Sequence, residues 1–149
     1  MSFEELLRKR AIEPVKVTPR EIADLVALSR RDIKAAEAML STDLDWAFAI
    51  AYNGILQMSI AYMNHLGYRP GGEGKHYNTF RFMEEALPED AQMIRRLQKL
   101  RRKRNTTIYE QSGLVSAKEA EDVVEFASRY HASVAAKLPR EIAGSEPGE

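Results

Sequence analysis

The sequence predicts an all-α fold, an up-and-down four-helix bundle with one or two short extra helices. Three observations carry that expectation. Apolar residues recur at helical spacing through most of the chain, no stretch alternates apolar and polar residues with the period of a strand, and strong helix-start and helix-stop signals separate the periodic segments. A chain of 149 residues is long enough for one domain with a real core, burying roughly two thirds of its unfolded surface, and short for two.

Taken in order, a short helix covers about residues 3 to 11 and stops before "EPVKVTP", which carries two prolines and extended-favouring valines. Residues 1–17 therefore read as this helix and a linker, 18–138 as the bundle, and 139–149 as a disordered tail. In "TPREIADLVALSRRDIKAAEAML", Thr18 is a good N-cap, Pro19 occupies the first helical position and Glu21 completes a capping box; Ile22, Leu25, Val26, Ile33, Ala36 and Leu40 form the apolar stripe. The next helix follows "STD" and runs from about Leu44 to Leu66. It is apolar almost all round, with Trp46, Ile50, Leu56 and Ile60 on one side and Phe48, Tyr52, Ile55 and Tyr62 on another. Such a helix is central in its bundle or covered by a second subunit, and a two-fold homodimer is expected because one face exceeds what a single layer covers. After the glycine-rich "GYRPGGEGK" comes a shorter helix, "HYNTFRFMEEAL". Pro88 opens a fifth helix that continues to about Gln111 and ends at Gly113. Ser116 caps the last one with Glu119 as its capping-box partner, and Pro139 stops it.

Composition narrows the function. With 22 basic and 22 acidic residues, the chain as a whole has no electrostatic reason to seek nucleic acid or an anionic membrane, so any such affinity is local. The absence of cysteine removes disulfides, thiolate zinc sites and cysteine nucleophiles. "MSFEELLRKR" is not a signal peptide, and no apolar run approaches the roughly 18 residues of a membrane span. A cytoplasmic protein with no membrane partner is expected.

The stretch that points to chemistry is "RRKRNTTIYE", residues 101–110. At about 100° per residue, Met93, Ile94, Leu100 and Ile108 fall within about 60° of Leu97, and Arg104 lies about 20° away, inside the apolar stripe. Arg95, Arg96, Lys99, Arg102 and Lys103 point away from it and read as a solvated face. Asn105 and Tyr109 sit on one flank, one turn apart, within reach of a phosphate gripped by Arg104. An unpaired guanidinium inside a protein costs several kcal/mol, so Arg104 meets a carboxylate, several carbonyls or an open cleft.

"RRKRNTTIYE", near the C-terminal end of the penultimate long helix, resembles the Arg-Asn-x-x-x-His signature of HEPN domains. "DWAFAIAYNGILQM" and "LGYRPGGEGKH" are similar to a helix and a loop of the same family, and the likeness spans roughly residues 18 to 138. The resemblance implies a four-helix fold, usually dimeric, with the signature helices of two subunits lining a shared cleft. Many members are metal-independent endoribonucleases without cofactor, often toxins paired with an antitoxin or a nucleotidyltransferase. In them the motif arginine steadies the scissile phosphate and the histidine assists proton transfer. Arg104 and Asn105 match the first two positions, while Tyr109 stands where the histidine belongs. A tyrosine with pKa near 10 is ionised to about one part in a thousand at pH 7, and general acid-base help is worth roughly a hundred- to ten-thousand-fold. The motif thus favours binding of RNA or a nucleotide, with weak or no cleavage, through Arg104, Asn105, Tyr109 and Arg101. An active endoribonuclease toxin with Arg104 and Tyr109 as its catalytic pair, and an interaction scaffold in which Arg104 makes a buried salt bridge, are the alternatives.

No histidine replaces the missing one outright. His131 shares a stripe with Val124, Ala127, Val134 and Leu138 and reads as a satisfied core histidine, and His65 as a helix-terminus partner. Lys75 and His76, after the glycine loop, form the basic pair that a mobile loop could bring over a cleft, and they join the ligand-binding candidates. Three scattered histidines do not make a metal site. Nor is "GEGKH" a phosphate loop of the Walker type, which needs glycine where Arg69 stands, Ser or Thr where His76 stands, and a preceding strand. It reads as a flexible connection between helices.

Overall fold

The computed structural model of the chain describes residues 2–96, 98, 99, 102 and 115–143. Its elements are α1 (Phe3–Arg8), β1 (Ile12–Pro14), α2 (Pro19–Met39), α3 (Leu44–His65), β2 (Tyr68–Pro70), α4 (Lys75–Ala86), a 3-10 turn (Pro88–Asp90), α5, helical at 91–96, 98, 99 and 102, α6 (Ala117–Ala135) and α7 (Arg140–Ala143). The fold is an all-α bundle with a helix-packed core. No helix among the described residues is long and apolar enough to cross a membrane.

Caps set where the long helices begin. Thr18 Oγ1 accepts the Glu21 amide at 3.1 Å, and the Glu21 carboxylate takes the Thr18 hydroxyl at 3.2 Å. At Ser116 the reciprocal box is complete, with Glu119 N–H donating to Oγ at 3.1 Å and Ser116 N–H donating to the Glu119 carboxylate at 3.2 Å. Asp43 caps α3 by accepting the Trp46 amide at 3.1 Å. Each such cap is worth about 1 kcal/mol.

Everything packs on α3. Phe48, Ala51, Tyr52, Ile55, Met58, Ala61 and Met63 are all at most 1% exposed, and at about 100° per residue the buried positions span about two thirds of the helix circumference. Helix α2 lies most extensively against it, followed by α6 and α4. The side expected to need a second subunit is a narrow strip in which Trp46 and Asn53 are exposed and Ile50, Gln57, Ile60 and Asn64 half-buried. Half of that strip is amide, so the chain itself covers most of what the sequence pattern left over.

Close helix approach depends on Gly54. A β-carbon there would lie 2.8 Å from Ile33 Cγ1 and 3.3 Å from the Ser29 carbonyl oxygen, and Ile33 is itself buried at 5% exposure.

Several expectations are corrected. Residues 12–14 and 68–70 form a two-stranded antiparallel ribbon, Ile12 opposite Pro70, Glu13 opposite Arg69 and Pro14 opposite Tyr68. Strands of three residues are too short to show a period of two, which is why the alternation test does not reveal them. The N-terminal segment is tied to the bundle by this ribbon and by Leu6 and Ile12, each 1% exposed. Arg69 also donates through Nε and Nη2 to Glu13 Oε2, both at 3.0 Å. The glycine loop is held in place: Gly71 N–H donates to the Ala11 carbonyl at 2.9 Å, and Asn78 Nδ2 donates to the carbonyls of Gly71 and Glu73 at 2.9 and 3.1 Å. Glycine is required at 71, where a β-carbon would stand 2.8 Å from the Arg10 carbonyl oxygen.

Helix α1 ends at Arg8 rather than near residue 11 because Arg10 turns left-handed, φ 58°. The Arg10 and Ala11 amides then bond back to Leu7 and Leu6 at 3.0 and 2.9 Å, a Schellman ending. Pro88 opens a 3-10 turn, with α5 beginning after it; the expected end of α5 near Gln111 and Gly113 lies outside the described residues. The tail expected to be disordered folds at Arg140–Ala143, because Ile142 finds a buried seat at 6% exposure and Arg30 Nη2 donates to the Ala143 carbonyl at 3.4 Å.

The packing at Gly54 gives an outcome opposite in sign to helix propensity. In an exposed helix Gly→Ala gains about 1 kcal/mol, whereas Gly54→Ala is expected to lose about 1 to 3 kcal/mol by overpacking against Ile33. Urea unfolding decides between them, and a stabilised variant would contradict the packing.

Candidate functional site

The candidate site begins with the described part of α5. Ile94 is fully buried and Met93 half-buried, while Arg95, Arg96, Lys99 and Arg102 are exposed. This is the phase expected from the sequence for these residues, with cations turned outward. Gln98 Nε2 donates to the Tyr77 carbonyl at 3.2 Å, which fixes α5 beside the first turn of α4. Arg101, Arg104, Asn105 and Tyr109 lie outside the described residues.

Two adjoining hollows of about 210 and 200 Å³ share Met93, Phe126 and Arg129 between α5 and α6. Their floor is apolar, from Met93 and Phe126. The rim mixes Arg96 and Arg129 with Asp90, Asp122 and Glu125. Asp122 pairs with Lys118 at 3.3 Å and Glu125 with Arg129 at 3.7 Å, both one turn apart on α6. Arg95 lines a further hollow with Glu84 and Glu85 of α4. Acids therefore accompany the first two cations of α5, and a phosphate entering either hollow would meet carboxylates as well as guanidinium groups.

Lys75 and His76 form the first turn of α4. Lys75 is exposed. His76 is half-buried and faces α3: its Nδ1 lies 3.4 Å from the Tyr52 hydroxyl, with ring centroids 5.9 Å apart. Tyr52 in turn meets Phe80 edge-on at 5.9 Å. The glycine loop thus positions His76 against the core, and the pair is split between solvent and interior.

Two buried hydroxyl brackets were not legible as sites. Ser29, fully buried on α2, donates its single hydrogen to the Gly54 carbonyl at 2.7 Å, so its contact with His131 Nδ1 at 2.9 Å is one in which the imidazole N–H donates. A serine that donates to a carbonyl and accepts from histidine is oriented against nucleophilic activation. This contact ties α2, α3 and α6 together, and His131 is the held core histidine that its stripe indicates. The second bracket has the same logic. Ser59 gives its hydrogen to the Ile55 carbonyl at 2.9 Å and accepts from the Tyr130 hydroxyl at 2.7 Å. The available signal was a serine inside an apolar stripe, as Ser29 lies between Val26 and Ile33.

Burial pushes the Tyr130 hydroxyl well above the usual phenol range, with further contributions from Asp90 and Tyr62 in the same direction. Among the described residues, no group of three or more His, Asp or Glu is placed to hold a metal ion. No family model, curated protein or solved structure matches this chain.

A folded-state pKa above the unfolded value near 10 means that Tyr130 stays protonated while the unfolded chain ionises. Its contribution is intact below about pH 10 and is lost as pH rises, by at most about 1.4 kcal/mol per pH unit. Urea unfolding from pH 8 to 11 is expected to show wild type losing stability more steeply than Tyr130→Phe; parallel curves would contradict this assignment.

Proposed function

We propose that this chain is a HEPN-type helical module that binds RNA through the cationic stretch of α5 and cleaves it weakly or not at all. The observation that carries the reading is the concentration of charge. Arg95, Arg96, Lys99, Arg101, Arg102, Lys103 and Arg104 supply seven cations in ten residues without an acid, in a chain that is neutral as a whole. Those of them that are described face solvent. From Arg95 to Arg102 the helix advances about 10 Å, a length that suits a polyanion better than a single phosphate. Arg104 and Asn105 supply the grip that the HEPN resemblance implies, and Tyr109 in the histidine position is why cleavage is expected to be slow.

A homodimer remains part of this proposal, since the resemblance pairs two such helices across one cleft, although burial of α3 within one chain leaves less apolar surface to drive it. A second protein partner, an antitoxin or a nucleotidyltransferase, and a cytoplasmic location belong to the same reading.

Titration of a short single-stranded RNA at several salt concentrations tests it. Each phosphate contact contributes about −0.7 to the slope of log K against log salt. A slope steeper than about −2 is expected, made shallower by about 0.7 in Arg104→Ala, with melting temperature nearly unchanged. Tyr109→His is expected to raise metal-free cleavage. Wild-type cleavage that vanishes in Arg104→Ala would favour the endoribonuclease toxin. If RNA never binds and Arg104→Ala costs the roughly 3 to 5 kcal/mol of a broken buried pair, the stretch is structural and the proposal fails.

A further inference from the structure

A second cationic feature lies where α1 and the glycine loop meet α4. Between the end of α1, the glycine loop and α4 is a cleft of about 240 Å³ whose lining includes Lys9, Arg10, Glu73, Tyr77, Asn78 and Arg81. Three cations face one acid there, a net charge of +2 (Lys9, Arg10 and Arg81 against Glu73). Neither Lys9 nor Arg10 makes an ion pair among the described residues.

Arg10 occupies the residue after the α1 cap, in the left-handed region at φ 58°. Glycine takes that conformation freely, and Asn tolerates it; an arginine there is strained. The Schellman ending explains the conformation and leaves the choice of side chain unexplained. A strained residue that carries a charge into a cleft points to a job for the charge.

Arg81 supplies the second observation. Its Nη1 pairs with Glu84 at 3.7 Å, and its guanidinium stands over the Tyr77 ring at 5.9 Å. Its Nε is buried and has no hydrogen-bond partner among the described residues. A buried donor without an acceptor is a cost, which an anion drawing the guanidinium toward the cleft would remove. Tyr77 itself is 42% exposed, so the cleft pairs a cluster of cations with an accessible aromatic ring. That combination recognises a phosphate and a nucleobase together. The cleft volume fits a single small ligand, and a phosphomonoester, with a charge of about −1.5 to −2 at neutral pH, matches the lining.

We propose that this cleft binds a 5′-mononucleotide, its phosphate held by Lys9, Arg10 and Arg81 and its base beside the Tyr77–Arg81 pair. No described residue of α5 lines this cleft, although Arg81 also lines the hollow it shares with Arg95, and the site does not depend on the RNA-binding reading.

The test is calorimetric titration of the full chain with adenosine 5′-monophosphate, inorganic phosphate and adenosine. The nucleotide is expected to bind at least tenfold more tightly than either fragment. Arg10→Gly removes the charge and the strain together, so its melting temperature is expected to hold or rise while nucleotide affinity falls at least tenfold; Arg81→Gln is expected to weaken binding similarly. Arg104→Ala is expected to leave it unchanged. Phosphate binding as tightly as the nucleotide, absence of nucleotide binding at millimolar concentration, or wild-type affinity in Arg10→Gly would each overturn the proposal. Loss of nucleotide binding in Arg104→Ala with retention in Arg10→Gly would move the ligand to α5, which overturns this site while supporting the other.

Discussion

Helix α3 imposes the constraint from which the rest of the molecule follows. Its apolar side chains wrap so far around the helix that no single partner layer shields them, and burying an aliphatic or aromatic side chain is worth roughly 1.5 to 3 kcal/mol. Helices α2 and α6 take its two largest contact faces, and α4 takes a third. Where α2 must come closest, Gly54 makes room for Ile33. The buried serine hydroxyls are satisfied across helices: Ser29 links the Gly54 carbonyl to His131, and Ser59 receives Tyr130. Such satisfied polar contacts contribute modestly to stability and more to uniqueness, because any shift in helix register would leave a buried donor unpaired.

With the centre committed to packing, charge is displaced to the periphery. The described part of α5 turns Arg95, Arg96, Lys99 and Arg102 outward from a short apolar footing at Met93 and Ile94, anchored sideways by Gln98 on the Tyr77 carbonyl. The layer made by α1, the ribbon and the glycine loop carries Lys9 and Arg10 to a cleft against the N-terminal half of α4. A neutral chain can therefore present two local positive fields, each set on a rigid support. Tyr77 touches both: its carbonyl holds α5, and the residue lines the cleft.

What could be read in advance divides along physical lines. The caps at Thr18 and Ser116, the all-round apolar α3 and the outward phase of Arg95, Arg96, Lys99 and Arg102 depend on spacing within one helix, and spacing is what a sequence displays. The Ile12–Pro14 and Tyr68–Pro70 pairing joins segments more than fifty residues apart and is too short for a period to register. Arg10 is invisible for a different reason, since nothing in "LLRKRAIEP" marks the residue that turns left-handed when glycine is absent. Ile142 was misjudged because composition describes a tail on average, whereas one apolar side chain with a seat is enough to order a turn. His76 looked mobile by its glycine neighbours, but Asn78 ties that loop and Tyr52 draws the imidazole inward. Arg104, Asn105 and Tyr109 were legible as a motif and a helix phase, and that remains the form in which they support the functional reading.

The claim that the cationic face of α5 is the RNA-binding element is tested most directly by mapping backbone amide shifts of the isotopically labelled chain on titration with a short single-stranded RNA at low salt. The account predicts that the largest changes fall on α5, around Arg95, Arg96, Lys99 and Arg102 and onward into the motif, and that they collapse as salt is raised. Changes centred instead on the exposed face of α2, or no changes at all at saturating RNA, would contradict it.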